Sequence, residues 1–141
     1  MITGGMDMGL AYIKAVVLKD NKIIGRAIGV SGGAGRKANA EKVWNAALAE
    51  AGVDKVDKLV CTGKGKYDVP FADKVYTEPV CLLEAAKVCC EGVTTVMDIG
   101  ADASTVITVN DNGMINEMVL NQKCSAGYGL MMEVMADKLG L

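Results

Sequence analysis

Asp7 and Gly9 close one short apolar segment, and Asp98 and Gly100 close another further along the chain. A hairpin of the form Asp-x-Gly at a strand end suits the binding of a nucleotide triphosphate. Its backbone N–H groups can meet phosphate oxygens, and its carboxylate can hold a magnesium ion or that ion's waters. A plainer role serves the same residues equally well: glycines shaping hairpins and aspartates capping turns. Lys14, five residues past Gly9 in an otherwise apolar stretch, either reaches a phosphate as a point charge or snorkels off the outer face of a strand. Lys64 and Lys66 flank Gly65 and read as solvated charge. Cys124 follows Lys123 in a loop that opens a helix, where lysine charge and helix dipole both favour the thiolate that a metal or an iron–sulfur cluster requires. A four-iron cluster takes four thiolates. A site built on Cys124 therefore needs a further ligand and a second chain around a two-fold axis, or a partner subunit.

Composition narrows the remaining chemistry. The 141 residues include no histidine, which removes the Ser-His-Asp triad, Cys-His nucleophiles, histidine-ligated zinc and any imidazole base. Lys plus Arg is 15 against 17 for Asp plus Glu, so there is no basic footprint for nucleic acid or an anionic membrane. No apolar run has the length of a membrane span and Met1 to Gly5 lacks leader character, which gives the cytoplasm as the expected compartment. The five cysteines form no CxxC pair and are expected to be mostly reduced and buried.

The elements that must position these residues come from an internal repeat. Met6-Asp7-Met8-Gly9 returns as Met97-Asp98-Ile99-Gly100 at an offset of 91, which without a gap also pairs Asp20-Asn21 with Asp111-Asn112 and Ile24 with Ile115. Each copy reads as a three-stranded meander. A strand ends in Asp-x-Gly, a second (Ala15 to Leu18; Val106 to Val109) runs to an Asp-Asn turn, and a third returns (Ile23 to Val30; Met114 to Leu120). A glycine-bearing loop follows, Ser31 to Gly35 or Ser125 to Gly129, and then an amphipathic helix. The first helix presents Val43, Trp44, Ala47, Leu48 and Ala51, and the second Leu130, Met131, Val134, Met135 and Leu139. Gly52 and Gly140 end them. Between the copies lie a strand, Lys58 to Thr62, a Gly63-Lys64-Gly65-Lys66 turn, and a helix from Pro79 to about Cys90 that is apolar almost all round and is expected to be buried.

These stretches resemble the ATP-dependent activators of 2-hydroxyacyl-CoA dehydratases and the ATP-binding subunits of benzoyl-CoA reductase, within the acetate kinase, sugar kinase and actin superfamily. The resemblance runs through Gly5 to Gly9 with Lys14 to Leu18, Thr62 to Lys66, Asp98 to Asp102 and Asn121 to Gly129. It implies an α/β fold in which ribonuclease-H-like lobes clasp ATP. Asp7, Gly9 and Lys14 would form the first phosphate motif, Asp98 and Gly100 the second, and Asp7 and Asp98 the catalytic pair. Gly127 and Gly129 would join the cofactor-binding set, with Mg2+ beside the nucleotide. Cys124 would ligate a 4Fe-4S cluster shared between subunits of a homodimer, or of a heterodimer with a related subunit. ATP hydrolysis would then drive a low-potential electron into an acyl-CoA dehydratase or reductase of anaerobic metabolism. Gly100-Ala101-Asp102 is nearer the benzoyl-CoA reductase subunits, and Leu10-Ala11-Tyr12 stands where the family carries hydroxyls.

Residues 1–92 are expected to form the first lobe and 93–141 the start of a second that stops after its first helix. Such a lobe would leave apolar surface on the second meander and on Leu130 to Leu139, and hence self-association. The alternative function is a non-catalytic nucleotide-binding or interaction module derived from the same fold.

Overall fold

The computed structural model describes residues 1–123 and 128–141. They divide into two compact units, Met1–Thr77 and Glu78–Leu141; the sequence places its boundary later, at 92/93, after the helix that follows Thr77.

In the first unit β1 (Ile2–Met8), β2 (Tyr12–Lys19) and β3 (Lys22–Val30) form the antiparallel meander, and β4 (Lys58–Thr62) and β5 (Lys74–Val75) extend it in parallel on the β1 side, giving the order β3-β2-β1-β4-β5. Asp20 and Asn21 are both left-handed (φ 51° and 60°). Those residue types tolerate that region, and a two-residue turn of this hand matches the twist of the strands it joins. Helix α1 (Arg36–Ala51) packs on β2 and β3 and ends at Gly52, φ 65°. It lies so close to β3 that a Cβ on Gly25 would stand 2.6 Å from the Ala51 nitrogen. Alternation along β1 and β2 sends Met6, Met8, Ile13, Ala15 and Val17 to one side, where they meet Ala40, Val43, Trp44 and Ala47 of α1, with Leu59 and Cys61 of β4. The apolar stripe expected on α1 is the core of this unit.

In the second unit α2 (Glu78–Cys89) packs on β6 (Thr95–Ile99) and β7 (Ser104–Val109), β8 (Ile115–Asn121) completes a sheet of order β6-β7-β8, and α3 (Tyr128–Leu139) follows. The repeat is structural. The register slips between Val17 and Leu18 in the first meander and between Thr108 and Val109 in the second, positions again 91 apart. Beyond the hairpin, however, Leu18 faces Ile23 while Val109 faces Ile115. Ile115 therefore answers to Ile23 rather than Ile24, and the ungapped pairing is corrected by one residue. The extra residue is in the turn, where Gly113 (φ 72°) donates to the Asn110 carbonyl at 2.9 Å and the Asn110 side chain accepts from Asn112 and Met114, both at 3.0 Å.

Two expectations about burial are corrected. Of α2 only Leu83 is buried and Val88 is 88% exposed, because the helix meets β6 and β7 along a single stripe. Cys61 is buried, Cys81 is half-buried, and Cys89 and Cys90 at the end of α2 are exposed; none of the four is in a disulfide. The apolar residues of α3 are exposed too, as are Met97 and Val119 on the sheet. Among the described residues no helix is long and apolar enough to cross a membrane.

Candidate nucleotide site

Antiparallel pairing of β1 with β2 sets Asp7 directly opposite Lys14. Lys14 Nζ lies 3.0 Å from Asp7 Oδ2, with the side chains 55% and 38% exposed. A pair this open to water adds only about 0.5 kcal/mol to stability. Both charges remain available to a ligand.

The turn after Asp7 is tight. A Cβ on Gly9 would stand 2.6 Å from the Tyr12 carbonyl oxygen, so that position requires glycine. Two other segments fix the turn from outside. Ser31, just past β3, donates its N–H to the Ala11 carbonyl at 2.8 Å, and its own carbonyl accepts from the Asn39 amide at 3.3 Å. From the β4 side Gly65 donates its N–H to the Met8 carbonyl at 2.9 Å. Lys64 is exposed. Lys66 departs from the expectation of solvated charge: it is half-buried and its Nζ donates to the Gly63 carbonyl at 3.2 Å. Arg36, at the start of α1, pairs with Asp68 at 3.3 Å. Ser31, Gly63 and Gly65 were not among the site residues drawn from the sequence. A signal for the latter two exists in the glycines that flank Lys64, but their contact with the first turn is long-range.

The second unit builds a related turn. Asp98 faces Thr105 across β6 and β7, and Gly100 donates to the Ala103 carbonyl at 2.8 Å. A Cβ on Gly100 would stand 3.1 Å from that same oxygen, so Gly100 and Ala103 repeat the relation of Gly9 to Tyr12. Gly129, in the first turn of α3, donates its N–H to the Gly100 carbonyl at 3.2 Å. A Cβ there would approach that oxygen to 2.7 Å. Asp7, Gly9 and Lys14 are thus brought together in one unit, and Asp98, Gly100 and Gly129 in the other. Cys124 and Gly127 lie outside the described residues. Among the described residues no three His, Cys, Asp or Glu side chains gather to hold a metal ion. The first turn sets a paired carboxylate and ammonium beside a backbone loop that only glycine at position 9 allows to close.

A model of the BadF/BadG/BcrA/BcrD ATPase family matches residues 5–141. The activator of lactoyl-CoA dehydratase from Anaerotignum propionicum is 36% identical over 141 residues, covering 99% of this chain and 54% of that protein. Among solved structures, component A of the (R)-2-hydroxyglutaryl-CoA dehydratase of Acidaminococcus fermentans superposes with a TM-score of 0.84 at 30% identity, over 100% of this chain and 55% of that one. The activator of the 2-hydroxyisocaproyl-CoA dehydratase from Clostridium difficile, solved with bound ADPNP, gives 0.85 at 29% identity, over 100% and 53%. The chain spans about half the length of these proteins. The α/β fold is the ribonuclease-H-like one of actin-like ATPases.

Proposed function

The chain belongs to the BadF/BadG/BcrA/BcrD ATPase family, and from that premise we propose that it binds the phosphates of Mg-ATP and serves in the ATP-dependent activation of a 2-hydroxyacyl-CoA dehydratase. The observation that carries this reading is the Asp7–Lys14 pair beside the Gly9 turn. Gly9 lets the turn close on the Tyr12 carbonyl beside the Asp7 carboxylate, and phosphate oxygens would meet the backbone of that turn. Lys14 would exchange its partner from the Asp7 carboxylate to a phosphate oxygen, and Asp7, so released, would be the carboxylate that holds Mg2+ beside the nucleotide. Asp98 and Gly100 do the corresponding work in the second unit, where the buried Thr105 stands opposite Asp98 in place of a lysine. Gly129, whose N–H bonds the Gly100 carbonyl, is proposed to serve with them, together with Gly127, which lies outside the described residues. The names of the relatives support a dehydratase as partner, while the Gly100-Ala101-Asp102 sequence keeps a benzoyl-CoA reductase as the second candidate.

Cys124 is proposed to contribute one thiolate toward a 4Fe-4S cluster shared between two subunits. Such a cluster, when present, supplies low-potential electrons to the partner. Its other ligands lie beyond the described residues, and visible absorbance after anaerobic iron and sulfide reconstitution, lost in Cys124→Ala, tests it.

A second reading, a nucleotide-binding module without hydrolysis, is favoured by Leu10-Ala11-Tyr12, whose Leu10 and Tyr12 are exposed on the turn where hydroxyls would meet phosphate. Binding is the shared prediction. ADPNP with Mg2+ should raise the melting temperature in proportion to the logarithm of its concentration, and no shift at millimolar ligand would overturn both readings. Phosphate release from ATP above background then separates them.

A further inference from the structure

The loop after β4 bears directly on the Asp7 carboxylate. Asp7 and Thr62 are register partners of the parallel β1–β4 pair, so the chain leaves β4 beside Asp7. Gly63 follows at φ +90°, and a Cβ there would stand 2.6 Å from Asp7 Oδ1 and from the Met8 carbonyl carbon and oxygen. A side chain at this position would be strained by its backbone and obstructed on two sides. The loop is held in this approach by the Gly65 N–H bond to the Met8 carbonyl at 2.9 Å, and within the loop the Gly63 carbonyl accepts from Lys66 twice, from Nζ at 3.2 Å and from the backbone N–H at 3.3 Å. The carboxylate therefore has Gly63 against Oδ1 and Lys14 Nζ at 3.0 Å from Oδ2. Lys14 is a long, half-exposed side chain that can leave. Gly63 is backbone and cannot.

We propose that Gly63 is a positioning residue for Asp7: by admitting the β4 loop against the carboxylate it fixes the direction in which Asp7 faces a divalent cation carried by a polyphosphate ligand. The inference rests on the phosphate-binding reading of this turn and deepens it. Gly63 touches neither nucleotide nor metal. Its effect through Asp7 belongs to the metal-dependent part of binding, whereas pressure on the Met8 carbonyl, which the same Cβ would meet at 2.6 Å, would weaken binding equally with and without Mg2+.

The test is a titration of the full chain with ADPNP, with Mg2+ and with EDTA, for the wild type, Gly63→Ala, Asp7→Ala and the double variant. Gly52→Ala is the control, since Gly52 has φ +65° with nothing within 4 Å of a Cβ and bears backbone strain without touching Asp7. Gly63→Ala is expected to lose about tenfold or more of the Mg2+-dependent tightening, as loss of a group that orients a metal-facing side chain commonly does. Its affinity in EDTA should stay that of the wild type. In the Asp7→Ala background the same change should cost nothing further. Equal loss with and without Mg2+, loss of the Mg2+ effect in Gly52→Ala, or an additive loss in the double variant overturns the inference. If Gly63→Ala does not fold, Lys66→Met removes the side-chain bond to the Gly63 carbonyl, leaving the backbone one at 3.3 Å, and is judged by the same Mg2+-selective loss. A wild type that binds no ADPNP at all fails the phosphate-binding reading itself, a result distinct from a wild type that binds and a Gly63→Ala that matches it.

Discussion

Thr105 on β7 holds the register position that Lys14 holds on β2, each directly opposite the aspartate of its own turn. Duplication has kept the carboxylate in both copies and the ammonium in one. The first turn therefore carries the point charge suited to a phosphate, and the second a hydroxyl.

Replacing Lys14 by Thr copies the second turn into the first. Because the Asp7 pair is largely solvated, urea titration should show a stability change below about 1 kcal/mol. ADPNP affinity should fall about tenfold, the worth of one charge-assisted hydrogen bond. Unchanged affinity would remove Lys14 from the site.

Gly9→Ala should be worse than Gly100→Ala. The added Cβ meets backbone oxygen at 2.6 Å in the first turn and at 3.1 Å in the second. The first requires the turn to move, and the second needs only a few tenths of an ångström. Destabilisation of about 1–3 kcal/mol for Gly9→Ala, with a smaller value for Gly100→Ala, is the expected order, read from urea titration by circular dichroism.

Met6 and Met97 are repeat partners of opposite burial, 2% against 67% exposed. Met6→Ala empties a packed site under α1 and should cost about 2–5 kcal/mol. Met97→Ala removes a side chain already in water and should stay within about 0.5 kcal/mol. The single tryptophan, Trp44, lies in the first unit's core, so its fluorescence follows the Met6 variant selectively.

Met97 and Val119 both face Val106 across the second sheet, and each is 67% exposed. An uncovered apolar row of this kind promotes association. Sedimentation velocity should show self-association of the wild type that Met97→Lys with Val119→Lys reduces without lowering unit 2 stability. A wild type that is monomeric at every concentration would contradict this.

The sequence alone determined the two meanders, the first helix's buried stripe, the Asp20-Asn21 turn and the glycines that end α1 and α3. Each is a local consequence of strand alternation, helical period or turn chemistry, and local rules are written within a few residues. The repeat was legible as well, except past the second hairpin, where one added residue in the turn moves Ile115 from the partner of Ile24 to that of Ile23.

Only the tertiary structure decided what depends on distant segments meeting. That Gly63 and Gly65 close on Asp7 and Met8 follows from β4 pairing with β1 across more than fifty residues of chain. The exposure of α2's far side was invisible for the same reason: an apolar helix announces that it has surface to bury, while how much is covered depends on which faces its neighbours reach. Met6 and Met97 make the point most directly. They sit in the same motif and on equivalent strands, and one is core only because α1 lies over it.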